Sequence, residues 1–356
     1  MTRPARTPRP PGLLLWAAVL VGGGCQPGDV AEGARVEADF SQTPGVKDDA
    51  GRRHPTAPAR TRIVSLVPGM TETVIALGAT ERLVGRTRYD DQPELAEIPS
   101  VGGGLDPSLE HLAQLSPDLV IAWRDAGGLG TLSGRLEAVG LPVFQVEIES
   151  TADFRRHAAN LGHLLDLSAS ASALIGELDR SLAAVRDAVE GTVAPTVLFL
   201  AQRDPPMAAG AGTFIDSLLV AAGGVNVLDV SGPAGDWPLI SLEHILWRDP
   251  DFLVVPVEGI GEARDAREGA PPEVEELLRA PGWREIDAVA HRRVIAVDAG
   301  LFARPGPRMA LAAASLAARL HPHVRLPAAL LPGGGASTRG LETPPTGDEA
   351  KAPPGL

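Results

Sequence analysis

Glu110 and Glu243 occupy matching places in a stretch that the chain carries twice. The first copy, Ser108-Leu-Glu-His-Leu-Ala-Gln-Leu-Ser-Pro-Asp-Leu-Val-Ile-Ala122, aligns without a gap to Ser241-Leu-Glu-His-Ile-Leu-Trp-Arg-Asp-Pro-Asp-Phe-Leu-Val-Val255, with six identities in fifteen positions at an offset of 133 residues. Self-similarity of this kind points to two halves built to one plan. Each glutamate would stand in the first turn of a helix, where a carboxylate is worth about 0.3–1 kcal/mol against the helix dipole, so plain helix chemistry is one reading of the pair. The other residues with chemical potential favour binding over catalysis. Aromatic residues make up only 4% of the chain, and Tyr89 is the single tyrosine, set in a loop between short elements. The eight histidines are scattered, and His157 and His163, six apart, fall off one helical face, so no metal-ligand set is expected. No serine stands in a nucleophile elbow and no paired carboxylate is evident, so no catalytic residue is assigned. Gly128 and Gly130 follow a strand as a dinucleotide loop would, but Ser133 replaces the third glycine of that fingerprint.

The elements that must position these residues alternate. In the first half, residues 62–68 read as a strand stopped by Pro68, 71–78 as a helix closed by Gly78, and 83–85 as a strand leading into the Tyr89 loop. A helix from Ser108, a strand over 118–123, a helix over 131–139 and a strand over 142–146 follow. The second half repeats the rhythm with strands over 196–200, 225–228, 251–255 and 293–297, and helices over 214–222, from Ser241, over 273–278 and over 308–320. Strands without a polar face, separated by helices, indicate parallel sheets covered on both sides. Between the halves lie residues 151–192, free of proline, with leucine, isoleucine and valine at helical spacing. They read as a helix broken at 166–168, with Ser168 as N-cap of the second piece and Gly191 as its stop; that second piece would run roughly 34 Å. An ordinary long surface helix has the same pattern. The fold expected is α/β: two Rossmann-like lobes, residues 61–150 and 193–322, with parallel sheets joined by a single long backbone helix. Ligands of such sheets sit at the carboxyl ends of the strands, here between the lobes.

The two ends read differently. Arg3, Arg6 and Arg9 precede the apolar run 13–21 and then Gly22-Gly-Gly-Cys25, which is an export signal too short to span a bilayer. It resembles a bacterial lipoprotein signal, which would make Cys25 the lipidated first residue of the mature chain; Gly22, where a leucine-like residue is usual, leaves ordinary signal cleavage open. Cys25 is the only cysteine, so no disulfide is available. Residues 25–60 read as a flexible tether and 323–356 as a disordered tail, both rich in proline, glycine and charge without periodicity. The formal net charge of −13 becomes −16 once residues 1–24 leave, which repels nucleic acid.

Together, Arg62-Ile-Val-Ser-Leu-Val-Pro-Gly-Met-Thr-Glu72, Ala76-Leu-Gly78, Leu83-Val-Gly85, Val101-Gly102, Ser108-Leu-Glu110 and Pro117-Asp-Leu-Val-Ile-Ala-Trp123 resemble the substrate-binding proteins of bacterial cobalamin, haem and siderophore ABC importers. Phe199-Leu200, Ala222-Gly-Gly224, Trp237-Pro238, Phe302, Arg304 and Pro307-Arg308 continue the likeness, which runs from about residue 61 to 320 and leans toward the cobalamin binders. The resemblance implies a two-lobed class III periplasmic binding protein with no catalysis and no intrinsic cofactor, whose ligand is cobalamin or a related corrinoid, with haem or a ferric siderophore as the alternative. It implies that Tyr89, Trp123 and Trp237 are cleft aromatics, although both tryptophans could equally be core residues, and that Arg304 contacts the ligand's edge. It implies that Glu110 and Glu243 dock into arginine pockets of the membrane permease, one per lobe. It also implies a monomer held at the membrane by its lipid anchor, with permease and ATPase subunits as partners. Gly104, Gln202 and Leu301 stand where the cobalamin binders carry aromatics.

Overall fold

A hairpin opens the described part of the chain: β1 (Gly45–Lys47) pairs antiparallel with β2 (Arg53–Pro55). The computed structural model describes residues 44–128, 130–228 and 237–331; residues 1–24 and Cys25 lie outside them, as does the chain beyond 331. The hairpin corrects the expectation of a tether across 25–60. Its turn closes because the Asp48 carboxylate accepts from the Arg52 amide at 2.8 Å, while Gly51 supplies a φ of +79°. The same turn grips an edge strand of the first lobe, since the Asp49 amide donates to the Gln145 carbonyl at 3.0 Å and the Gln145 amide donates to Asp48 at 3.3 Å. Backbone groups on an exposed edge would otherwise invite another chain.

The first lobe then follows as β3 (Ile63–Ser65), α1 (Pro68–Ala76), β4 (Leu83–Gly85), α2 (Leu109–Leu115), β5 (Leu119–Trp123), α3 (Leu132–Ala138) and β6 (Val143–Val146). Helix α1 starts at Pro68 and not at residue 71, because proline at the first helical position gives up an amide that had no partner anyway. All four strands are parallel, in the order β4-β3-β5-β6. Helices α4 (Thr151–Leu164) and α5 (Ser168–Val189) form the link. The break between them is a left-handed Asp166 at φ +57°, with the Leu167 amide turned back to the Gly162 carbonyl at 2.7 Å. Ser168 is the first residue of α5, not its cap; Leu167 holds that place without a side-chain bond. At 22 residues, α5 spans about 33 Å.

The second lobe contains β7 (Thr196–Arg203), β8 (Pro206–Ala208), α6 (Phe214–Ala221), β9 (Val225–Asn226), α7 (Leu242–Arg248), β10 (Phe252–Val257), β11 (Arg264–Asp265), α8 (Pro272–Arg279), α9 (Asp287–Ala290), β12 (Val294–Asp298), α10 (Ala299–Phe302) and α11 (Met309–Leu320). Its parallel strands run β9-β7-β10-β12, the same order as in the first lobe, with β8 and β11 added antiparallel at the sides. The two sheets are separate, and side chains alternate between two cores on each. Ile63, Leu119 and Ile121 face the same core as Val197, Phe199, Phe252 and Val254, while Val64, Val120 and Ala122 face a core private to the first lobe. Leu198, Leu200 and Leu253 likewise face a core private to the second lobe. The shared core is built around the link, through Phe154, Leu161, Leu178, Leu182 and Val185, and alanines of α11 let that helix pack close on α5. Residues 323–331, expected in the tail, stay on the molecule, with Val324, Leu326 and Leu330 against the shared core.

Candidate functional site

The loop after β4 carries Tyr89 and is held rigidly from beneath. The Arg86 guanidinium donates to the carbonyls of Leu95, Ile98 and Asp90 at 2.9–3.0 Å, and the buried Asp90 carboxylate accepts from the Thr87 amide and hydroxyl at 2.7 and 2.6 Å. Tyr89 therefore projects from a fixed turn, 51% exposed. The Arg88 guanidinium lies over its ring, 5.2 Å from the centroid, and donates to the phenol oxygen at 3.3 Å.

Arg304, after β12, meets this loop from the other lobe. One of its nitrogens donates to the Tyr89 carbonyl at 2.7 Å and another to Asp91 at 3.1 Å, and the latter lies 3.6 Å from Glu72. Arg308 donates to Glu72 at 3.0 Å, and Gln92 adds a bond to the same carboxylate at 3.2 Å. Glu72 is only 7% exposed on its side chain. Burial opposes the charge on Arg308, but its bonds to Glu72 and the fields of Glu72, Asp91 and Asp298 more than offset this, holding the guanidinium's pKa above its ordinary value. Burial would raise Asp91; hydrogen bonding and charge from Arg304 instead hold it below the usual carboxylate value. The backbones are also close here, since a Cβ at Gly69 would lie 2.2 Å from the Pro305 carbonyl oxygen.

A second contact joins the lobes at the opposite edges of the two sheets. The Trp237 indole, in the stretch between β9 and α7, donates to Glu149, just after β6, at 3.0 Å, and packs tilted on Phe214 at 6.1 Å. The Glu149 carbonyl accepts from the Phe214 amide. Trp123 ends β5, in the interior of the first sheet, and is half-buried, like Trp237, against the shared core. Trp123 thus stands at the carboxyl end of its strand and Tyr89, Trp237 and Arg304 beyond those of theirs, with Tyr89 and Arg304 brought together directly. Two concavities along α5 and α6, bordered by Thr151, Arg155, Asp179, Arg186 and Val220, contain none of these four. Those hollows follow the seams between packed helices.

The three positions without aromatics have local explanations. A Cβ at Gly104 would lie 2.4 Å from the Leu66 carbonyl oxygen, so that loop lies flat on the end of β3. Gln202 folds its amide onto the Asp204 and Pro205 carbonyls at 3.0 and 3.2 Å, and Leu301 is buried.

The repeated stretch is a repeated structure. Helices α2 and α7 each have seven residues, and each is capped by the serine hydroxyl, Ser108 accepting from the His111 amide and Ser241 from the His244 amide. Each ends on a left-handed residue that is not glycine, Ser116 and Asp249. The shared Pro-Asp then ties two strands together. Asp118 accepts from the Thr61 amide and hydroxyl and the Arg62 amide at 2.8–3.1 Å, and Asp251 accepts from the Thr196 amide and hydroxyl at 2.8 Å. Glu110 and Glu243 are both exposed in the first turns. Hydrogen bonds from its own amide and from the Ser241 hydroxyl hold the Glu243 carboxyl below its ordinary pKa. Sequence reasoning saw the Pro-Asp pairs as part of the repeat but not their work, and it missed Glu72 and Glu149, whose partners lie 236 and 88 residues away.

Residues 63–301 match the family described as Periplasmic binding protein. A cobalamin-binding protein of Halobacterium salinarum is 30% identical over 266 residues, covering 73% of this chain and 69% of that protein. An uncharacterized ABC transporter substrate-binding lipoprotein of Bacillus subtilis is 26% identical over 319 residues, covering 87% of this chain and 95% of its own. Among solved structures, the apo form of a periplasmic heme-binding protein from Roseiflexus sp. RS-1 matches with a TM-score of 0.61 at 30% identity, over 73% of this chain and 98% of its own.

Proposed function

The chain belongs to the periplasmic binding protein family, and from that premise we propose that it captures a corrinoid between its lobes and delivers it to the permease and ATPase subunits of an ABC importer. The observation that carries this reading is the set of Tyr89, Trp123, Trp237 and Arg304 at or beyond the carboxyl ends of strands in two sheets with the same order of parallel strands. A broad, flat macrocycle suits them, because aromatic faces bury wide area with few rotamers to freeze. The cobalamin-binding relative at 30% identity supports the ligand class. In this reading Glu110 and Glu243 face the permease at equivalent points of the two lobes, Cys25 carries a lipid anchor, and the working quantities are affinity and a small hinge motion. In this reading the protein carries out no catalysis.

A second reading, ferric haem or a ferric chelate, is favoured by one feature. Tyr89 offers an exposed phenol oxygen beside the Arg88 guanidinium, and a phenol oxygen is one of the donors that haem iron takes. The protein purified from its own cells, followed by titration with cyanocobalamin and with hemin, separates the two. Corrinoid absorption that co-purifies, with saturable tryptophan quenching by cyanocobalamin, is the expected result. Saturable binding of hemin alone moves the assignment to the second reading, and quenching by neither ends both. Trp123→Ala should weaken corrinoid binding roughly 30-fold or more, the loss usual for a buried aromatic anchor.

A further inference from the structure

The two helices that carry the glutamates share their first three residues and differ over the last four, most sharply at one exposed position. Helices α2 and α7 match residue for residue at their caps and glutamates, but one turn beyond the glutamate the first carries Gln114 and the second Trp247. Gln114 turns its amide back onto Glu110 at 3.4 Å. Trp247 has no such inward use: it is 75% exposed, while Ile245 takes the buried side of the helix. Glu243 and Trp247, four residues apart, share the exposed face of α7, so the ring flanks the carboxylate that Ser241 holds in place. The ring is also oriented, with the Arg248 guanidinium 5.0 Å from its centroid and the His244 ring edge-on at 6.1 Å.

We propose that the two lobes dock unequally, with Trp247 anchoring the second lobe in an apolar cup of the permease beside the cation that receives Glu243. This rests on the docking role of the glutamates given above. Like charges on both lobes would allow a two-fold symmetric permease to accept the protein in either of two orientations. A tryptophan on one lobe alone makes the two half-contacts unequal: whichever permease half receives the second lobe gains the larger burial, since such a ring removes about 150–250 Å² from water, about the largest single contribution a side chain makes to an interface. The occupant is therefore a membrane protein surface with a cationic group next to an apolar hollow.

The test uses the mature full-length protein and the importer's permease–ATPase complex in lipid nanodiscs, with affinity read by biolayer interferometry. Trp247→Gln, which gives α7 the residue found on α2, should weaken docking at least tenfold, Trp247→Phe less, and Gln114→Ala under about threefold. Far-UV circular dichroism melts establish that each variant is folded, as expected for exposed positions. If Trp247→Gln docks like the native protein while Glu243→Arg does not, the anchor is wrong and the docking role survives. If neither changes docking, the docking role fails with it. Equal losses from Gln114→Ala and Trp247→Gln would overturn the asymmetry.

Discussion

Glu72 is the side chain on which the cross-lobe contact converges, with Arg308 and Gln92 bonded to it and Arg304 at 3.6 Å. A nearly buried carboxylate between two guanidiniums adds little net stability as a group, but removing one partner leaves buried charge uncompensated. Glu72→Gln should therefore lower unfolding stability by about 1–3 kcal/mol in urea melts, and Glu72→Gln with Arg308→Met should recover part of that loss. A double variant no better than the sum of its singles would show that the groups act independently. His157 makes the complementary point about protons. It is fully buried on α4, its Nε2 is 2.7 Å from Asp49, and its Nδ1 has no hydrogen-bond partner. Burial lowers its pKa, Asp49 pulls it up, Arg156 pushes it down, and the net shift is downward, so the native ring is neutral. Phe144 sits edge-on at 6.0 Å, and attraction from Asp49 and the Glu147 backbone recovers only part of what burial costs the charged ring. An unfolded chain takes up that proton as pH falls through about 6.5, the folded chain only lower, so stability is full above about 6.5 and declines toward the folded value. Between pH 7 and 5 the native protein should lose stability by up to about 1.4 kcal/mol per pH unit from this site, and His157→Gln should flatten the slope. An unchanged slope in the variant would place the effect elsewhere.

Elements were legible where apolar pattern and cap agreed. The eight parallel strands and the link follow from runs such as 119–122 and 197–200, buried on both faces, and from the spacing of Leu178, Leu182, Val185 and Val189. What escaped was short and held by distant partners. Strands β1 and β2 have three residues each in a Pro-, Gly- and charge-rich stretch, and their stability comes from Asp48 and Asp49 on an edge strand nearly 100 residues away. Strand β11 has two residues and β8 three, too few for a period to show. The site was legible as residue types but not as a network, because Arg304 and Tyr89 are 215 positions apart. The repeat separates two kinds of acidic residue that sequence alone puts on one footing. Asp118 and Asp251 each satisfy backbone amides at the start of a neighbouring strand, so Asp118→Ala and Asp251→Ala should each cost about 1–3 kcal/mol. Glu110→Ala and Glu243→Ala should each lower stability less than either aspartate change, since these exposed carboxylates have only the screened field of the helix's first turn to lose. Thermal melts of the four variants order them; equal losses would mean that the glutamates have a structural role after all.

At the scale of the whole molecule, three features oppose a wide opening of the lobes. The shared core runs without a break through both lobes and the link, so the lobes cannot move far apart without disturbing it. Cross-lobe contacts stand at opposite edges of the two sheets, Arg304 to the Tyr89 loop at one and Trp237 to Glu149 at the other. The backbones touch at Gly69 and Pro305. A hinge motion must break or slide these contacts, and burial on this scale stores several kcal/mol for each large side chain involved. We expect small-angle scattering curves of the free and ligand-saturated protein to nearly coincide. Gly69→Val tests the cause, because its side chain would meet Pro305 head-on with no flexible group to give way. That variant should show a larger radius of gyration when free and a smaller difference from the native protein when ligand is bound, with affinity lowered by the work of re-closing. A native protein that contracts strongly on binding, or a Gly69→Val variant with the native curve, would mean that the lobes are held by the linking helix alone and that these contacts form only late in capture.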